Sequence, residues 1–112
     1  MANIILFVRD FQKGAELSEK LNSINLNVSF GESIYDLPDK CRLAILDLDD
    51  RKFNNLDFIS ELKTKAKIKL ICYKSLIQKE SHDEIKNRGC DILVTNASIV
   101  MNIQKLVKNL LK

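Results

Sequence analysis

The acidic residues that follow a short apolar run are the part of this sequence best suited to chemistry. Residues 43–46 are all apolar, and they lead directly into Asp47, Asp49 and Asp50. A continuous apolar run of this length predicts a strand that is buried on both faces of a sheet. Open α/β sheets place their reactive groups at the carboxyl ends of such strands, so Asp47 is the first candidate residue.

A second apolar run ends in a similar way. Residues 4–8 are apolar and are followed by Arg9 and Asp10. If both runs are parallel strands, their carboxyl ends lie at the same edge of the sheet. Two strands that deliver carboxylates to one edge suggest a cation site or an acceptor carboxylate.

The composition narrows the class of protein. The chain has 112 residues, which is enough for one domain, 1–112, and too few for two; 46% of the residues are hydrophobic and 29% are charged. The net charge is +3, and the basic residues are dispersed, with the densest run at the lysines within 63–69. This run is typical of a solvated helix end, so we expect no nucleic-acid partner.

Other function classes find little support in the sequence. No stretch reaches the roughly 20 apolar residues of a membrane span, and no signal segment precedes the first strand, so we expect a cytoplasmic protein without a membrane partner. Three cysteines without CxxC spacing indicate neither a disulfide framework nor a zinc site. The single histidine, His82, makes a Ser-His or His-metal centre improbable, and we expect no enzyme activity.

Strands and helices alternate along the whole chain. Strands are predicted at 3–8, 27–30, 42–46, 69–73 and 91–94, and helices at 12–23, 33–37, 56–65, 78–88 and 98–111. Pro38 stops the second helix early, and Gly89 ends the fourth.

Five successive βα units predict an α/β fold with one doubly wound parallel sheet and helices on both faces. The flavodoxin-like strand order 2-1-3-4-5 satisfies the handedness rule for crossovers. This order places the first and third strands side by side, so Asp10 and Asp47 are expected to meet at one edge.

With these elements in place, the chain resembles the receiver domain of two-component response regulators, over nearly its whole length. The resemblance rests on element order, on length and on the loop after the third strand. The family has an acceptor Asp there, followed by the pattern D-x-x-M-P-x-M-D-G-L-E. The stretch 47–57 keeps this spacing without a gap: Asp47 matches the acceptor, and Phe53, Asn54, Leu56 and Asp57 match later positions. Asp50-Arg51 replaces Met-Pro, and Asn55 replaces Gly.

The resemblance implies a specific set of site residues. In this family an acid pair after the first strand, together with the acceptor Asp, holds Mg²⁺. A Thr or Ser after the fourth strand and a Lys after the fifth bind the phosphoryl group, and an aromatic residue in the fifth strand takes part in switching. Asp10, the backbone of Asp49 and the acceptor Asp47 are the corresponding acidic and metal positions in this chain.

Most of the other positions depart from the family pattern. Arg9 replaces the first acid, Lys74 falls at the Thr/Ser position with Ser75 beside it, Leu93 replaces the aromatic residue and Asn96 replaces the Lys. We hypothesise that Arg9 and Lys74 neutralise Asp10 and Asp47 as internal salt bridges, which leaves metal binding weak or absent. The other interpretation of Asp49 and Asp50 is a solvated loop that caps the following helix.

The sequence therefore predicts a degenerate receiver, or pseudo-receiver: a signalling module that acts by protein–protein contact, without a cofactor and without normal Mg²⁺-dependent phosphorylation of Asp47. The resemblance implies that its partner is another signalling protein, which contacts the fourth helix, fifth strand and fifth helix. A homodimer is the other interaction that the sequence allows. The alternative is a functional single-domain response regulator that is phosphorylated on Asp47 with Mg²⁺. A second alternative is a flavodoxin-like domain that binds a small ligand.

Overall fold

The computed structural model describes residues 3–112, which form one five-stranded parallel sheet with helices on both faces. The strands are β1 (Asn3–Phe7), β2 (Asn27–Phe30), β3 (Cys41–Asp47), β4 (Lys69–Lys74) and β5 (Ile92–Thr95). The helices are α1 (Phe11–Asn22), α2 (Leu56–Glu61), α3 (Lys79–Asn87) and α4 (Asn96–Leu110). The strand order is β2-β1-β3-β4-β5, which confirms the predicted fold class and topology. No helix among these residues is long and apolar enough to cross a membrane.

Each face of the sheet is covered by one pair of helices. On one face, residues such as Leu6, Leu43 and Ile45 pack against α1 and α4. On the other, Phe7 and Leu46 pack against α2 and α3. Because side chains alternate along a strand, β1 and β3 need apolar residues at every position to supply both layers, and this explains their continuous apolar runs.

Two predicted helices differ from the observed elements. The segment predicted at 33–37 is only a 3₁₀ turn, Ile34–Asp36, in which Ser33 and Asp36 form a capping box. Pro38 cannot continue a helix, so the turn ends at once. The third predicted helix changes its winding after Glu61 into a π-helical turn, Leu62–Ala66, which ends at Lys67 in the left-handed conformation.

The acidic loop after β3 is anchored by a buried phenylalanine. The ring of Phe53 lies 5.6 Å from that of Phe7 and 6.1 Å from that of Phe58, centroid to centroid. At the start of the loop, the Leu48 N–H donates to the Tyr73 carbonyl at 2.9 Å, as a continuation of the β3–β4 ladder. The loop is thus fixed at both ends, and its carboxylates occupy defined positions at the carboxyl edge of the sheet.

The opposite edge contains an irregularity in β3. Asn3 of β1 pairs with Cys41 and the next residue, Ile4, pairs with Leu43, so Arg42 is an extra residue in a β-bulge. A bulge changes the direction in which its extra side chain points.

Candidate functional site

Asp47 is the last residue of β3 and is almost fully buried, with 7% of its surface exposed. Its Oδ1 accepts the N–H of Asp49 at 2.9 Å. Burial raises the pKa of the Asp47 carboxyl, and the charges of Asp49 and Asp50 raise it further. Within residues 3–112 Asp47 accepts this one hydrogen bond and forms no ion pair, so its ionised form is poorly stabilised.

Tyr73 of β4 is the buried neighbour of Asp47. The two residues are paired in the parallel β3–β4 register, and the Tyr73 hydroxyl is buried without a partner that meets hydrogen-bonding distance and angle. Burial raises the pKa of the Tyr73 phenol, as do the nearby carboxylates of Asp47 and Asp10. The phenol is therefore protonated, and it lies close enough to Asp47 for the two groups to influence each other.

Asp49 is the most completely bound carboxylate of the site. Its oxygens accept the Ser75 N–H at 2.9 and 3.1 Å, the Ser75 hydroxyl at 2.6 Å and the Asn96 side-chain amide at 2.8 Å. Partial burial opposes ionisation of Asp49, but these hydrogen bonds and the nearby Lys74 outweigh it, so the pKa is lowered. Asp49 joins the carboxyl ends of β3, β4 and β5 through one ionised side chain.

The structure adds Lys13 to this site, a residue that the sequence interpretation missed. Its ammonium group donates to the Asn96 carbonyl at 3.3 Å, although the two residues are 83 positions apart. Lys13 lies in the first turn of α1, whose N-cap Asp10 accepts the Lys13 N–H at 2.9 Å. Asp is a common N-cap residue, so Asp10 was a signal that could have placed Lys13 near the sheet edge. The contact of Lys13 with Asn96 depends on tertiary packing.

The expected salt bridges of Arg9 are not the ones that form. Its guanidinium lies 3.9 Å from Glu32 and 3.5 Å from Asp50, and the Asp10 side chain is used as a helix cap. The reason is geometric: β1 ends at Phe7, so Arg9 lies in the exposed connection to α1 rather than among the buried side chains. Arg9 neutralises the outer part of the acidic loop, and Asp47 receives no cation from it.

Lys74 does not approach Asp47 as expected. Side chains alternate along β4, so Tyr73 and Lys74 point to opposite faces of the sheet. Lys74 lines a small cleft with Leu56 and Glu84 on the α2–α3 side, and it forms no ion pair within residues 3–112. Ser75 lies beyond the end of β4, and it is Ser75 that faces the other site residues.

The helix-capping interpretation of Asp49 and Asp50 is also wrong. Asn55 is the N-cap of α2 and accepts the Asp57 N–H at 2.9 Å and the Phe58 N–H at 3.2 Å. Asp50 instead accepts the Lys52 N–H at 2.9 Å, within its own turn.

Leu93 and Asn96 lie at the β5 end of the site. Leu93 is half-buried and packs against the core layer beneath α2 and α3. Asn96 is the first residue of α4, and its amide reaches Asp49 from the position where the resemblance expects a cation. The structure thus brings Asp47, Asp49, Ser75 and Asn96 together at one edge, whereas Arg9, Lys74 and Leu93 face elsewhere.

The donor set at this edge suits a divalent cation poorly. The carboxylates of Asp10 and Asp49 are directed at N–H and O–H donors, and Arg9 lies against Asp50. No group of three or more His, Cys, Asp or Glu side chains within residues 3–112 is arranged to hold a metal ion. A hard cation requires several converging oxygen ligands. Here Oδ1 of Asp10, Oδ1 of Asp47 and both oxygens of Asp49 accept hydrogen bonds from the protein itself.

A separate groove of about 910 Å³ runs between α1 and the end of β2, away from Asp47 and Asp49. The exposed rings of Phe11 and Phe30 form part of its walls, with Ala15 at its side.

Solved structures with the same architecture include response regulators and receiver domains. A two-component response regulator from Clostridium difficile has a TM-score of 0.87 with this chain at 13% identity, over 99% of this chain and 96% of that one. The chain has the receiver fold. A response regulator from Thermotoga maritima has a TM-score of 0.84 at 11% identity, over 98% and 97% of the two chains. The beryllofluoride-activated receiver domain of DrrB has a TM-score of 0.84 at 21% identity, over 99% of this chain and 97% of that one.

No protein-family model and no curated protein matches the sequence. The likeness to receiver domains is therefore one of structure at low identity, and it establishes the fold alone. Function must be argued from the site, because one fold serves many activities.

Proposed function

We propose that this chain is a receiver-fold signalling module that acts through protein–protein contacts and has lost Mg²⁺-dependent phosphorylation of Asp47. One observation carries the proposal: the carboxylate of Asp49 is bound by Ser75 and Asn96. These residues stand beside or at the positions where the receiver resemblance expects the groups that bind a phosphoryl oxygen. The protein supplies its own anion to these donors.

Electrostatics also disfavours a phosphoryl group on Asp47. The phosphoryl group would bring additional negative charge next to Asp49 and Asp50, whose charges already raise the pKa of Asp47. Receiver domains relieve such repulsion with a metal ion, but here the donors around Asp47 suit a metal poorly. We therefore propose that the module needs neither Mg²⁺ nor any other cofactor.

A non-catalytic module must act by contact with another protein. The receiver resemblance suggests the surface formed by α3, β5 and α4. β5 is an edge strand with an unpaired outer side, and Met101 on α4 is 79% exposed. Edge strands and exposed apolar side chains are common features of interaction surfaces, so this surface is a reasonable place for a partner or a second copy of the chain.

The alternative function, phosphorylation of Asp47, has its own support. Asp47 is retained at the end of β3, and Lys13 brings a cation to within 3.3 Å of the Asn96 carbonyl. The second alternative, small-ligand binding, is supported by the groove beside Phe11 and Phe30. The same experiment separates all three.

The test is to add Mg²⁺ with beryllofluoride, and separately with acetyl phosphate, to isotope-labelled protein, and to record amide spectra and mass. We expect no saturable change around Asp47 and no added phosphoryl mass. A saturable response that Asp47→Asn abolishes would instead establish the response-regulator alternative. Shifts confined to residues around the groove would indicate ligand binding there.

A matched pair of variants tests the role of Asp49. Asp49→Ala removes the internal carboxylate and leaves the donors of Ser75 and Asn96 without an acceptor, so we expect inorganic phosphate to produce saturable shifts at both residues. Asp50→Ala removes a carboxylate from the same loop that contacts neither of them, and we expect it to behave as the wild type. Equal behaviour of the two variants would contradict the proposal.

A further inference from the structure

The fold gathers unpaired basic residues at the amino edge of the sheet, opposite Asp47. Five of them define what we call the basic pole: Lys40, Arg42, Lys67, Lys69 and Lys108. All five side chains are exposed, and none forms an ion pair within residues 3–112. Lys69 pairs in register with Leu43, so the starts of β3 and β4, which carry four of the five, lie side by side.

The backbone at this edge is strained at two of these lysines. Lys40 and Lys67 both have φ +57°, the left-handed conformation that Gly and Asn adopt most easily. They occupy equivalent places, just before two neighbouring strands. The chain therefore accepts a small conformational cost and presents lysine at both turns.

Arg42 is directed towards α4 by the bulge in β3. As the extra residue between Cys41 and Leu43, it leaves the regular alternation of the strand. Its guanidinium donates to the Leu111 carbonyl at 3.4 Å, just beyond the end of α4. Arg42 is thereby brought close to Lys108 on the last turn of that helix.

Between these two cations lies a pocket of about 300 Å³. Four apolar residues and these two cations line it: Ile24, Leu26, Arg42, Val107, Lys108 and Leu111. The volume is at the lower end of the range for ligand pockets and suits one or two side chains rather than a large cofactor.

We infer that the basic pole binds an acidic segment of a partner protein, with an apolar side chain of that segment in the pocket. The charge of this surface is complementary to an acidic segment: two acids of this region, Glu61 and Asp91, are already paired with Lys65 and Lys63, so they do not neutralise the five basic residues. The surface is distinct from α3, β5 and α4. The inference rests on the proposed role in protein–protein contact but not on the state of Asp47.

A protein segment fits this surface better than nucleic acid or a membrane does. Single-stranded nucleic acid is usually held by stacking on aromatic side chains, and a membrane surface by protruding apolar ones. Of the exposed large apolar residues, Phe30 ends β2, and Phe11, Tyr35 and Leu76 follow strand ends at the carboxyl edge. Met101 lies in the first half of α4. The apolar surface of the pole is recessed in the pocket, where one side chain can enter.

The experiment uses an acetylated, amidated peptide with the sequence Glu-Glu-Leu-Glu-Glu, titrated into isotope-labelled protein at low salt. We expect saturable shifts at Ile24, Leu26 and Leu111. The double variant Arg42→Gln with Lys108→Gln should weaken binding about tenfold, because it removes both cations that line the pocket. Lys52→Gln, at the carboxyl edge, is the matched control and should leave the affinity unchanged.

Two further probes make the inference falsifiable. A peptide with Gly in place of Leu should bind more weakly, and equal binding would show that the pocket is not used. An oligothymidylate, or vesicles containing phosphatidylserine, should bind no more tightly than the Leu peptide; tighter binding of either would overturn the assignment to a protein segment. Absence of shifts at the pocket would refute the inference, whatever beryllofluoride does at Asp47.

Discussion

Asp47 and Asp49 are two residues apart, yet their surroundings shift their acidity in opposite directions. Burial raises the pKa of Asp47, whereas the hydrogen bonds from Ser75 and Asn96, with Lys74 nearby, overcome partial burial and lower that of Asp49. A raised pKa means that the fold disfavours the ionised form of Asp47, and a lowered one means that it favours the ionised form of Asp49. The two carboxylates therefore make contributions of opposite sign to stability at neutral pH.

Replacement of Asp47 by Asn should stabilise the protein at neutral pH. The contribution of a group with a raised folded pKa is present below its unfolded pKa and is lost as pH rises through the folded pKa. Asn stays neutral and can still accept the Asp49 N–H. We expect a gain of about 1 kcal/mol in the free energy of unfolding at pH 7, the size of an ordinary single-residue effect, and a gain near zero in acid, as measured by urea unfolding at several pH values.

Asp49→Asn is the natural control, because its pKa shift has the opposite sign. The ionised Asp49 stabilises the fold above its unfolded pKa, and this contribution is lost as pH falls through the folded pKa. The variant should thus be less stable than the wild type at pH 7, by less than about 1 kcal/mol because the side chain is exposed and screened. If Asp47→Asn were destabilising at pH 7, the argument from burial would be wrong.

At the scale of single elements, the hydrophobic pattern predicted most of the helices and strands but not where each of them begins and ends. The continuous apolar runs of β1 and β3, together with the alternation of strands and helices along the chain, were sufficient to predict the sheet and its order. The assignment of Lys74 and Ser75 failed because side chains alternate along a strand. Whether Lys74 or Ser75 faces Asp49 depends on where β4 ends, and a shift of one residue exchanges their directions.

The cap of α2 was missed for a related reason. Asp49, Asp50 and Asn55 are all suitable N-cap residues by type. The packing of Phe53 against Phe7 helps to fix the loop and places Asn55, rather than Asp49 or Asp50, at the N-cap of α2. Such long-range contacts are not encoded in local spacing.

Gly89 provides a test at this scale, because it ends α3 with φ +120°. A Cβ there would also lie 2.6 Å from Cγ of Lys63, whose ammonium group binds Asp91 at 2.7 Å. We expect Gly89→Ala to destabilise the protein by more than about 1 kcal/mol, because alanine rarely adopts this positive φ and its Cβ would clash with the Lys63 side chain. The measurement is denaturant unfolding, with the amide spectrum as a check that the fold persists.

Gly14→Ala is the matched control within α1. A Cβ at Gly14 would lie 2.9 Å from Cε1 of Phe30, an exposed ring that can move aside. Alanine is favoured over glycine in a helix by about 1 kcal/mol, which offsets this adjustment. Equal losses in the two variants would show that the conformation of Gly89 is not the cause.

At the scale of the whole molecule, the net charge of +3 is unevenly distributed between the two edges of the sheet. Acids and bases are mixed at the carboxyl edge, where Arg9, Arg51 and Lys52 accompany the acidic loop, whereas the basic pole lies at the amino edge. The sequence interpretation judged the basic residues dispersed, with the densest run at the lysines within 63–69. Lys40, Lys69 and Lys108 are indeed far apart along the chain. Parallel topology brings the starts of β3 and β4 and the end of α4 to the same edge, so the clustering becomes visible only with the strand order.

This uneven distribution of charge predicts how stability responds to salt. Like charges about 10 Å apart repel by about 0.4 kcal/mol in water, and the screening length falls from about 30 Å at 10 mM salt to about 8 Å at 150 mM. Stability should therefore rise with salt over this range. Lys69→Gln relieves repulsion within the pole and should make the rise smaller. Lys52→Gln removes a cation that attracts the carboxylate of Asp36, and the loss of this attraction should make the rise larger. The measurement is the thermal midpoint of the wild type and of both variants at the two salt concentrations. If both variants changed the rise with salt in the same direction, the two edges would not differ in charge.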